Sequence, residues 1–133
     1  MGLFDFFGKK QVGSTKEQQK WNKLWELYGN GNVESPYLQL MTYQCEINNG
    51  GHYQYFTNVE NTGNLHDELS FLTTILSKKL ADNLQKAYQA YLILEQEDDK
   101  NAETIIERCD DVFYENEEKI NSIIQEYANR IKL

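Results

Sequence analysis

The sequence predicts an all-α fold, a compact single domain of about six helices. Three observations carry that reading. Apolar residues recur at intervals of three and four along most of the chain. No stretch alternates with period two for long, and no Asn-Gly hairpin stands between β-branched runs. Helix-starting Ser or Thr precedes apolar runs, and Gly or Asn follows them. One domain is the default for 133 residues, and nine tyrosines and six phenylalanines supply bulk for its core.

Residues 1–14 read as an N-terminal arm ahead of a helical domain spanning 15–133. Leu3, Phe4, Phe6 and Phe7 share one helical face, followed by Lys9 and Lys10. The stretch is short for a stable helix, so it is expected to pack on its own domain or fray rather than dock on a membrane. Ser14 or Thr15 caps a helix running to about Tyr28, with Trp21, Leu24, Trp25 and Tyr28 facing inward. Ser35 as cap and Pro36 at the first helical position start the next helix. Leu38, Met41 and Cys45, together with Tyr37 or Leu40, form its buried face, and Asn49 and Gly50 its stop.

The stretch INNGGHYQYFTN, residues 47–58, then reads as a helix corner followed by a short helix. Gly50 ends the first helix, Gly51 lets the chain turn closely, and Tyr53 and Phe56 plug the core. Gln54 and Asn58 are expected to satisfy backbone groups freed at the corner. From Leu65 to Tyr91 the apolar positions define one helix or two broken near Ser77. Two further helices are expected at about 101–113 and 117–132.

Charge is uneven. The net charge is −8, yet residues 95–118 alone carry −9, with eleven acids against Lys100 and Arg108. The acids are Glu95, Glu97, Asp98, Asp99, Glu103, Glu107, Asp110, Asp111, Glu115, Glu117 and Glu118. On a helix, Glu103, Glu107, Asp110 and Asp111 fall within one arc of about 100°. Ala102, Ile105, Ile106, Cys109, Val112 and Phe113 fall opposite. The arrangement presents an apolar stripe inward and a carboxylate stripe outward, a surface fitted to a basic protein and repellent to nucleic acid itself.

Other chemistry finds little support. His52 and His66 are the only histidines, and no HExxH or CxxC spacing marks a metal site. NNGG lacks the spacing of a phosphate-binding loop. Cys45 and Cys109 read as reduced, buried thiols of a cytoplasmic protein. No apolar run approaches the roughly 20 residues of a membrane span. No cofactor and no catalytic residue is assigned.

The stretch Asn49-Gly50-Gly51-x-x-Gln54-Tyr55-Phe56-x-Asn58, together with the later CDDVFY and a terminal Tyr-bearing helix, resembles the DMP19-like family over about residues 20–132. The resemblance implies an all-α fold and no catalytic site. The family's namesake is a dimeric DNA mimic whose acidic surface occupies a bacterial transcription factor. The expectation is therefore a non-enzymatic bacterial protein that binds a basic partner through the 95–118 acids, with a homodimer as the assembly the resemblance implies. Alternatives are an immunity or antitoxin-type protein binding a toxin, a structural domain, and an enzyme using His52 near Cys45.

Overall fold

The computed structural model describes residues 15–133, and the N-terminal arm lies outside the described residues. Six helices, and no strand, are found among the described residues. They are α1 (Lys16–Gly29), α2 (Tyr37–Thr62), α3 (Leu65–Ile75), α4 (Lys78–Leu94), α5 (Lys100–Glu115) and α6 (Glu117–Ala128).

Local chemistry explains most of the boundaries. The Thr15 side chain accepts from Gln18 N and starts α1. Gly31, at φ 76°, supplies the left-handed residue just beyond its end. Asn64, Ser77 and Asp99 cap α3, α4 and α5 in the same way as Thr15. The Leu65–Tyr91 pattern is therefore two helices, parted at Leu76–Ser77. The start of α2 differs from expectation. Pro36 holds the cap position without a side-chain bond, and the carbonyl of Glu34 takes the Leu38 amide in place of a Ser35 cap.

The apolar faces converge on α2, which packs against α3, α4, α5 and α6, while α1 lies along α6. α4 and α5 form a helical hairpin across the short 95–99 connection, pinned by Asn83 Nδ2 donating to the Cys109 carbonyl at 2.9 Å. Leu24, Leu40, Met41, Tyr43, Ile47, Tyr55, Phe56, Leu72, Leu84 and Phe113 are fully enclosed. Cys109 is buried, whereas Cys45 is only half-buried.

The expected helix corner is a kink. α2 continues through Asn49 and Gly50 and resumes at once after Gly51, whose φ of 79° and ψ of −176° are the one break in its helical dihedrals. Tyr53 does not plug the core: it is 41% exposed, and its hydroxyl donates to Glu95 at 2.7 Å. The inward residues after the kink are His52, Tyr55 and Phe56. Period 3.6 restarts at the kink, so a phase carried over from the first half points the wrong way.

Candidate functional site

A kinked helix leaves amides and carbonyls without their usual partners, and these need bonds when buried. Here α5 supplies both. Asp110 Oδ1 accepts from the His52 backbone amide at 2.8 Å, the first amide after the kink. Tyr114, four residues on and so on the same face of α5, donates its hydroxyl to the Ile47 carbonyl at 2.8 Å. Gly51 stands where an N-cap residue would, with no side chain of its own, and Asp110 provides the cap from another helix. Its negative charge suits the positive end of the helical segment that begins there.

His52 completes the lock. Its ring is fully buried, with Nδ1 2.6 Å from Asp110 Oδ1 and Nε2 2.7 Å from the Tyr43 hydroxyl. A carboxylate only accepts, so Nδ1 donates to Asp110, and in the neutral ring Nε2 accepts from Tyr43. Burial pushes the Tyr43 phenol well above its ordinary pKa, which keeps that donor protonated. Tyr55, Phe56 and Phe113 pack around the Tyr43–His52 pair, with centroid separations of 5.2–6.4 Å. Neither cysteine is among the hydrogen-bond partners of His52. Burial, then the nearby Glu46, pushes the Cys45 thiol up to about 11.

The glycine before the kink and the residues after it serve the same turn. Gln54 folds back over Gly50, so that a Cβ there would meet its side-chain tip. A Cβ on Gly51 would stand 2.5 Å from Asp110 Oδ2. Asn58 donates to Glu46 at 2.6 Å, bridging the two halves of α2 by side chains. Gln54 and Asn58 do not serve the freed backbone groups, contrary to expectation; Asp110 and Tyr114 do. Asn49 is exposed, beside the kink.

The eleven acids divide into two sets. Four are engaged within the fold. Asp99 caps α5, Asp110 caps the kink, and Glu95 accepts from Tyr53 and Tyr91. Glu117 accepts from Gln44 at 3.0 Å and Asn48 at 2.7 Å, tying α6 to the first half of α2. The other seven, Glu97, Asp98, Glu103, Glu107, Asp111, Glu115 and Glu118, are exposed. Among the described residues only Glu103 of these has an ion pair, to Lys100 at 3.9 Å.

Asp110 thus leaves the stripe predicted from the sequence, because its carboxylate turns toward α2 and its side chain is only 24% exposed. What stays outward is a row at strict i+4 spacing: Glu103, Glu107, Asp111 and Glu115. Successive members rise about 6 Å along the axis. Sequence reasoning missed Tyr43, Tyr114, Gln44 and Asn48. An Asp and a Tyr four apart, opposite a Gly-Gly inside a helix, was the available signal.

A scan against protein-family models matches the description "DMP19-like protein" over residues 33–131. The chain belongs to the DMP19-like family. The matched span holds both the kink and the α5 residues that lock it, and leaves α1 outside. No curated protein and no solved structure matches the chain. Among the described residues no helix is long and apolar enough to cross a membrane, and no three His, Cys, Asp or Glu side chains gather where they could hold a metal.

Proposed function

We propose that this DMP19-like protein is a non-enzymatic cytoplasmic interaction protein whose α5 acidic row engages a basic protein surface as a nucleic-acid strand would. One observation carries the reading: Glu103, Glu107, Asp111 and Glu115 repeat every fourth residue on an exposed face, almost without counter-cations. Their separation is on the scale of successive phosphates along a strand. Like charges at i and i+4 destabilise a helix by about 0.2–0.5 kcal/mol per pair, so the row costs the fold stability and folding alone does not call for it. The basic partner that fits is one that itself binds DNA, in keeping with what the family resemblance implies.

The absence of enzymatic activity is supported by the sealing of the Tyr43–His52–Asp110 chain, whose phenol and imidazole have no exposed surface. Both cysteines are free thiols with raised pKa values, poor nucleophiles and consistent with a reducing compartment.

The test is retention of basic proteins from the native cell on the immobilised chain, against a variant with Glu103, Glu107, Asp111 and Glu115 all changed to Gln. The reading expects DNA-binding proteins on the parent chain, absent from the variant and eluted by added duplex. Equal retention by the variant, or no elution by duplex, overturns it.

A further inference from the structure

We propose that Asp110 and Tyr114 are positioning residues for the acidic row: by bonding the two ends of the Gly51 kink they fix the rotation of α5, and so the direction the row faces. This rests on reading the row as a binding surface.

Two forces set the rotation of α5 about its axis. Burial of Ala102, Ile106, Cys109 and Phe113 turns the helix inward, but apolar burial is non-directional and leaves angular slack. Hydrogen bonds are directional and leave less slack. Asn83 bonds the Cys109 carbonyl from α4, and against α2 Asp110 makes two to His52 and Tyr114 one to Ile47, at the ends of the kink. Asp111 follows Asp110 by about 100° of helical rotation, so fixing one carboxylate inward aims the next outward. Mutual repulsion along the row works against order in α5, and the lock opposes it at the row's centre. The partner such a row suits carries cations at a matching repeat of about 6 Å, as on a helix with Arg or Lys at every fourth position.

The experiment compares binding of the full chain to two helical peptides of identical composition. One carries arginine at every fourth position, and the other carries the same arginines scrambled. Asp110→Asn and Asp110→Ala each remove one charge, but only asparagine keeps an oxygen able to cap. Tyr114→Phe removes only a hydroxyl and carries the test if Asp110→Ala does not fold, which circular dichroism reports.

The parent chain and Asp110→Asn are expected to prefer the matched peptide by about tenfold, the size that four exposed ion pairs supply. Asp110→Ala and Tyr114→Phe are expected to lose most of that preference while binding the scrambled peptide as Asp110→Asn and the parent chain do, respectively. Preference retained by Asp110→Ala or Tyr114→Phe overturns the positioning role. So does its loss in Asp110→Asn. No preference in the parent chain, with binding unchanged when the four row acids become Gln, overturns the reading of the row itself.

Discussion

Replacing Gly51 by alanine strikes the kink at its tightest point. At φ 79° and ψ −176° the residue sits in a region essentially reserved for glycine, and forcing another residue there costs about 1–3 kcal/mol. The new Cβ would stand 2.5 Å from Asp110 Oδ2. The carboxylate must withdraw, which forfeits a cap worth about 0.5–2 kcal/mol. Together the loss is about 1.5–5 kcal/mol, a large share of the 5–15 kcal/mol that holds a typical domain folded. Gly50→Ala is the control. Gly50 has no positive φ, and its Cβ would meet only the flexible end of Gln54. Relief of a helical glycine offers up to about 1 kcal/mol in return. Urea unfolding followed by circular dichroism measures both variants. If Gly51→Ala lies within about 1 kcal/mol of Gly50→Ala, the kink is not held by this geometry, and the reasoning fails.

Three further outcomes follow from the same structure. Burial, with Glu46 adding to it, holds the Cys45 thiol up to about 11, and burial also raises Cys109; at a pH of about 8 the native chain should alkylate far more slowly than the unfolded chain, and rapid native labelling of either thiol would contradict this. Burial raises the phenols of Tyr43 and Tyr55 above their ordinary 10.0. The folded state therefore keeps protons that the unfolded state sheds, so stability is full below that pH and falls as pH rises beyond it; a urea midpoint that stays flat from pH about 9 to 11 would refute this. Changing Glu103, Glu107, Asp111 and Glu115 together to Gln should stabilise the fold by roughly 0.5–1 kcal/mol at low salt, since three like-charge pairs disappear. The gain should fade in about 1 M salt, and destabilisation on denaturant titration would show that the row serves the fold.

Helix identity was legible because apolar periodicity and capping chemistry agree. Leu65 to Tyr91 shows this: the same spacing that marks the apolar face leaves Ser77 free to cap, and the chain breaks there. The kink was half legible. Gly50-Gly51 announced an interruption, but a change of helical phase is a three-dimensional event, so Tyr53 was placed inward while His52 took that position. The acidic stripe was legible as composition and blurred as geometry. Angular position on α5 put Asp110 beside Asp111, and only the amide exposed by a distant kink decides that Asp110 turns in. The same holds for Glu117, whose partners Gln44 and Asn48 lie some seventy residues earlier and belong to no local pattern. Long-range polar contacts of this kind depend on which backbone groups the fold leaves unpaired.

If the α5 row stands where DNA would stand on its partner, the chain and a duplex compete for one surface. The direct measurement is a titration of duplex DNA into the complex of this chain with a DNA-binding protein that it retains, followed by size-exclusion chromatography. Mutual exclusion is expected: the duplex displaces the chain, and no species contains all three. A stable ternary complex would contradict it.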